Sequence, residues 1–274
     1  MIASLMATMG PHLGNGDLKE DLLRHFVLNS IRSYNTKFKS SHGEMVIATD
    51  NGWSWRKEVF PYYKANRKKS REESTLDWNM IFSCLNSIRD DLKNIFPYRV
   101  IHVKGAEADD IIGTLCMEYA NTNEKILIIS GDKDFKQLQV YMNVEQYDPV
   151  KKKKLVENQP ERFLKEHIMR GDVGDGIPNF LSDDDCLVLG KRQKPILSKK
   201  VDEWINIEPD KFEDKMLRGW KRNEQLIDLT MIPQDIRDEI MSEFSNQAGK
   251  KRDKLMSYFI EKRLKNLMES ISDF

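Results

Sequence analysis

Eight acidic residues fall in four short groups along this 274-residue chain. Asp50 stands alone at the end of an apolar run. Glu107, Asp109 and Asp110 share the segment Glu-Ala-Asp-Asp. Asp132 and Asp134 lie in Gly-Asp-Lys-Asp, and Asp172 and Asp175 in Gly-Asp-Val-Gly-Asp-Gly. Carboxylates gathered on converging loops repel one another unless cations join them. Oxygen-only groups, without His or Cys, prefer hard cations such as Mg²⁺, with Mn²⁺ able to substitute. Two such ions roughly 3.5–4 Å apart can activate a water and stabilise the leaving oxygen of a phosphodiester. Each group alone also reads as a helix cap or a plain turn.

A second feature lies just after Asp50. Residues 53–71 carry Arg56, Lys57, Lys64, Arg67, Lys68, Lys69 and Arg71 against one acid, Glu58, with aromatic residues between them. Bases contact phosphates, and rings such as Trp55 and Tyr63 can stack on nucleobases. Lys64 and Arg67 would steady the scissile phosphate. A solvated basic helix is the plain alternative.

Three Val- and Ile-rich runs, 45–49, 99–103 and 125–130, read as buried strands of a parallel sheet. Each ends at one of the first three acid groups. Open parallel sheets form their sites outside that carboxyl edge. Helical patterns cover 18–38, 76–96 and 108–120, with Asp17 as the first cap. Strand and helix alternate as in a βαβ layout. Beyond about Asp148 the pattern turns helical. The expected division is an α/β core over 1–148, with a basic region at 53–75, and a helical region over 149–274. The basic, amphipathic segment 250–274 is expected to pack on its own domain.

Lys+Arg and Asp+Glu are equal at 44 each, which argues against a uniformly basic protein and for segregated charge. Three scattered cysteines have no zinc spacing, and no stretch is apolar enough to span a membrane. The expectation is a reduced, cytoplasmic monomer. A small-molecule phosphatase is the competing enzyme class. The basic, aromatic stretch opposes it, and Gly190-Lys191-Arg192 lacks the Ser or Thr of a phosphate loop.

In this order, Asp50, Arg56, Tyr63-Lys64-Ala65-Asn66-Arg67, Glu107-Ala108-Asp109-Asp110, Gly131-Asp132-Lys133-Asp134-Phe135 and Gly171-Asp172-Val173-Gly174-Asp175 resemble the flap-endonuclease and 5′-nuclease family. Arg71-Glu72-Glu73-Ser74-Thr75 and Ser257-Tyr258-Phe259 are similar to its branch of RNase H proteins from T-even-type phages. The resemblance implies a PIN-like α/β fold with a helical C-terminal region. It also implies a two-metal 5′-3′ exonuclease that removes RNA primers and 5′ flaps in phage replication. Its site would hold metal on Asp50, Glu107, Asp109, Asp110, Asp132 and Asp134, with Asp172 and Asp175 completing the second ion's surroundings. Lys64, Arg67 and Arg56 would be the arch bases. Gly171, Gly174 and Gly176 would shape a helix–turn–helix element near 165–190 that grips duplex DNA. Single-stranded DNA-binding protein and sliding clamp are implied partners.

The family also opens with a strand ending in a metal-binding Asp. Met1 falls beyond the place of that strand, so strand and Asp are expected to be missing. A chain without them would bind branched DNA without cutting. The family's glycine-rich hairpin is replaced here by residues 177–185, so no monovalent-ion site is expected.

Overall fold

The computed structural model describes residues 20–74 and 76–274, apart from the side chains of 68–70. Asp17, the expected first cap, and the whole question of an opening strand lie outside the described residues, as do the side chains of Lys68 and Lys69.

Helix α1 spans Glu20–His42. Strand β1 (Val46–Ala48) pairs in parallel with β2 (Arg99–Ile101), Ile47 lying opposite Val100. Between them run the short helices α2 (Arg56–Val59) and α3 (Asn66–Glu72), then the long α4 (Trp78–Ile95). Helix α5 (Ala108–Glu118) leads to β3 (Ile126–Ile129) and a 3-10 turn over Lys133–Val140. The polypeptide continues through β4 (Val144–Asp148) and β5 (Lys153–Leu155). Strand β3 pairs with β4 in parallel, and β4 with β5 antiparallel.

Alternation along the strands explains why helices cover both faces. Ile47 and Val100 pack with Leu28 of α1, Ile88 of α4 and the chain's end. Ile101 and Ile128 pack with Ile111 of α5 on the opposite face. The free edge of β2 is satisfied by a side chain. Gln247 accepts from Val100 N at 2.9 Å and donates to Val100 O at 2.7 Å, acting as one rung of an added strand.

Among the described residues six further helices complete the chain: α6 (Pro160–Arg170), α7 (Ser198–Trp204), α8 (Asp214–Ile227), α9 (Gln234–Asn246), α10 (Leu255–Glu261) and α11 (Lys265–Met268). Helices α6 to α8 share a third core built on Met169, Phe180, Val201 and Trp220. The last segment returns to the first core, where Phe259 and Phe274 are fully buried. Buried Arg24 ties α1 to both neighbours, pairing with Asp91 of α4 and donating to the Tyr258 hydroxyl of α10 at 2.8 Å.

The strands are shorter than the apolar runs that announced them. Strand β4 was not expected, because Glu145 and Gln146 break its apolar pattern. Gln146 is nonetheless buried, and its amide donates to Ser130 O and Asp132 O at 3.0 and 2.6 Å. A polar side chain inside this strand braces the acidic loop after β3. Among the described residues, no helix is long and apolar enough to cross a membrane.

Candidate active site

The N-terminus of α5 organises one end of an acidic cleft. Glu107 caps it, and Asp110 closes a capping box by accepting from Glu107 N at 2.8 Å. Asp50, from the loop after β1, accepts from Ala108 N at 2.8 Å. Unpaired amides and the helix dipole favour acids there.

Three bases and a tyrosine converge on these acids. Arg56 is buried, with Nη1 at 3.3 Å from Glu107 Oε2 and 2.8 Å from Asp110 Oδ1. Its Nε donates to Leu226 O at 2.8 Å. Lys64 Nζ lies 2.6 Å from Glu107 Oε1 and 3.5 Å from Asp175 Oδ2. Tyr63 OH donates to Glu107 Oε2 at 2.7 Å. Arg67 pairs with Asp175. Burial works against the charge of Glu107, but Lys64 and Arg56 outweigh it and hold the carboxyl below its ordinary range.

The backbone fixes this meeting of arch and turn. Lys64 adopts a left-handed φ of 56° and donates its N–H to Asp175 O at 2.7 Å. Asn66 Nδ2 donates to Val173 O at 2.9 Å. Gly171, at φ +66°, sits where a Cβ would come within 2.5 Å of Ile177 O and Pro178 O. Gly176, at φ +74°, would carry a Cβ 2.9 Å from Tyr62 O. Gly174 has no such φ, and its Cβ would meet Asp172 Oδ1 at 3.1 Å.

The other end of the cleft is less compensated. Asp132 is exposed and caps the 3-10 turn through Asp134 N at 3.1 Å. Burial, with the charges of Asp132 and Asp172 and against the pull of His167, pushes the Asp134 carboxyl up to about 6. Burial also drives Asp109 well above the carboxylate range, with Asp132, Asp50 and Glu107 adding to the effect and Lys64 opposing it. Asp172 is the exception. Burial is outweighed by His167 and by Lys133, whose Nζ is 2.8 Å from Asp172 Oδ2, so its carboxyl is held down.

These positions test the residues against a divalent ion. Asp134 Oδ1 is buried without a hydrogen-bond partner. Asp134, His167 and Asp172 offer ligand atoms that all lie within 4.8 Å of one another. A mainly oxygen donor set in which the Asp134 carboxyl is raised fits a divalent cation. Asp110 is different, being fully buried with one oxygen on Glu107 N and the other on Arg56.

The two expected stacking rings are a correction. Trp55 and Tyr63 are buried, at 4% and 3% exposure, and cannot offer open faces to bases. Trp55 is packed beneath Arg56, whose guanidinium lies 4.6 Å from its ring centre. Tyr63 turns inward because its hydroxyl serves Glu107. Lys57 and Arg71 are exposed. His167, Lys133 and Gln146 were given no role from sequence. The one signal for His167 is its place in the last turn of α6, five residues before Asp172.

Two family models match the chain. Residues 21–168 match the N-terminal resolvase-like domain of 5′-3′ exonucleases, and 158–274 match the C-terminal domain of T4 RNase H. The ribonuclease H of enterobacteria phage T4 is 35% identical over 268 residues, covering 92% of this chain and 87% of that protein. The flap endonuclease Xni of Shewanella sp. strain MR-4 is 33% identical over 139 residues, covering 46% of this chain and 48% of its own. Among solved structures, the bacteriophage T5 5′-exonuclease with bound zinc aligns at a TM-score of 0.62 and 19% identity, over 89% of this chain and 96% of its own. A complex of the T5 flap endonuclease with DNA and metal ions aligns at 0.60 and 20% identity, over 81% and 91% of the two chains. The PIN-like α/β layout with a helical C-terminal region is thus shared with these nucleases, and the chain belongs to the 5′-3′ exonuclease family, in the branch of phage T4 RNase H.

Proposed function

We propose that this enzyme is a Mg²⁺-dependent 5′-3′ exonuclease and flap endonuclease that trims RNA primers and 5′ flaps during phage DNA replication, in the host cytoplasm. The observation that carries the reading is the cleft itself. Carboxylates from four separated motifs meet there, beside Lys64 and Arg67, which pair with Glu107 and Asp175.

Asp50, Glu107, Asp109, Asp132 and Asp134 would form the carboxylate site for the divalent ions, with Asp172 and Asp175 completing the setting of the second. The chemistry such ions supply is activation of the attacking water and stabilisation of the leaving oxygen, with Mn²⁺ able to replace Mg²⁺. We assign Asp110 to positioning, since both its oxygens are engaged inside the protein. It holds Arg56, and Arg56 in turn holds Glu107.

Lys64 and Arg67 supply the phosphate-binding step. Both now pair with Glu107 or Asp175, and an incoming phosphodiester offers them a replacement anion at the same place. Arg67 and Lys64 then carry the developing charge of the scissile phosphate, while Tyr63 stays on Glu107. Lys57, Lys68, Lys69 and Arg71 extend the basic path along the 53–75 arch toward the single-stranded end. The element near 165–190, with its turn set by Gly171, Gly174 and Gly176, would lie against the duplex backbone.

The test is incubation with a 5′-labelled flap and with an RNA–DNA hybrid, each in Mg²⁺ and in EDTA. Short 5′ products released only with Mg²⁺ are expected. Salt-sensitive binding without any cleavage would replace the reading by that of a branched-DNA binder.

A further inference from the structure

Among the described residues, His167 is the imidazole that stands with Asp134 and Asp172 in the cleft. It lies in the last turn of α6 and is 6% exposed. Its two ring nitrogens face two different carboxylates. Nε2 is 3.3 Å from Asp172 Oδ2, and Nδ1 is 3.5 Å from Asp134 Oδ1.

The second contact is not a hydrogen bond. His167 Nδ1 and Asp134 Oδ1 are both buried and both lack a hydrogen-bond partner. A buried polar atom left without a partner is unfavourable relative to a satisfied one. Two of them pointing at each other is a poor arrangement for packing and a good one for a shared cation. Asp172 Oδ2 also receives Lys133 Nζ at 2.8 Å, and Asp172 Oδ1 accepts from Asp175 N at 3.2 Å. The Lys133 side chain is 53% exposed, so it can swing into solvent.

We infer that Asp134, His167 and Asp172 form a mixed nitrogen–oxygen cation site that favours first-row transition ions such as Mn²⁺ and Co²⁺ over Mg²⁺. Imidazole adds little for Mg²⁺, which prefers oxygen and keeps its waters. It adds increasingly along the series from Mn²⁺ to Co²⁺. His167 is thereby a determinant of which metal the enzyme carries. The inference rests on the metal-dependent reading above and sharpens it.

The experiment is pulsed electron paramagnetic resonance on the untagged full chain loaded with Mn²⁺, in a nitrogen-free buffer. A ¹⁴N coupling is expected, and it should vanish in His167→Gln while Mn²⁺ stays bound. Calorimetry provides a second readout. Co²⁺ affinity should fall about tenfold or more in His167→Gln, with Mg²⁺ affinity changing by less than about twofold. Bound Mn²⁺ without nitrogen coupling would overturn the inference and leave His167 as a counter-ion for two carboxylates. No bound Mn²⁺ at all would overturn both this site and the metal-dependent reading.

Discussion

The two ends of the acidic cleft solve the same electrostatic problem in different ways. At the α5 end, Glu107, Asp110 and Asp175 meet Arg56, Lys64 and Arg67, and the protein supplies its own cations. At the β3 end, Asp132 and Asp134 meet only His167 and, through Asp172, Lys133. Burial raises the Asp134 carboxyl there to about 6, whereas Glu107 is held down. The first end therefore folds as a finished ion-pair network. The second end keeps a surplus of negative charge that an external cation relieves. Structure is concentrated at one end, and the proposed metal affinity at the other.

The largest effect that sharpens this contrast is on turnover. Asp132→Asn should lower cleavage of a labelled flap by about a hundred- to a thousandfold, the cost of removing one preorganised charge from a transition state. Its thermal midpoint should stay within error, because Asp132 is exposed and Asn can still accept from Asp134 N. Full activity would remove the β3 end from the chemistry. Arg56→Met at the other end should act mainly on stability. It leaves Glu107 and Asp110 buried without their shared guanidinium, a loss of about 3–5 kcal/mol. Calorimetry or circular dichroism should show a clear drop in Tm. Arg56→Lys should recover only part of it, since an ammonium cannot serve Leu226 O and two carboxylates in one plane. An unchanged Tm in Arg56→Met would mean that the α5 end is no keystone.

What the sequence disclosed about the site follows the range of each interaction. The acids were visible because they sit in short motifs at the ends of Val- and Ile-rich runs, and parallel pairing of β1 with β2 brings the first two such ends together, while β3 belongs to a second sheet. The glycines of residues 171–176 were visible as turn-formers, although only Gly171 and Gly176 hold a positive φ. Trp55 and Tyr63 misled because a ring beside a lysine looks the same whether it faces solvent or core. Their burial depends on Arg56 and Glu107, the latter 44 residues from Tyr63. Strand β4 was hidden by Gln146, whose polarity makes sense only once Ser130 and Asp132 lie across from it. His167 was hidden for the same reason. A single histidine in a helix says nothing until Asp134 and Asp172 close around it.

The smallest effect is the sharpest discriminator between the two ends, because its sign should change with metal. In EDTA, Asp134 holds its proton up to about 6, against an ordinary value of 3.8. The folded chain thus binds more protons than the unfolded one between those values, and stability falls as pH rises through that window. Above it, the cost of the buried charge is fully present. Asp134→Asn removes that charge, so in EDTA at pH 7 its Tm should exceed that of the parent by roughly 2–4 °C, equivalent to about 1 kcal/mol. In saturating Mg²⁺ the order should reverse. The parent gains RT ln(1 + [Mg²⁺]/Kd), about 2.7 kcal/mol at a hundredfold excess over Kd, and the variant loses most of that gain. The pH dependence of Asp172, held down by His167 and Lys133, runs the other way and falls below the Asp134 window, where stability is lost as pH drops. Thermal scans of both proteins across pH 2–7, with and without metal, therefore separate the two acids. A variant less stable than its parent in EDTA would show that the β3 end is as fully compensated by the protein as the α5 end.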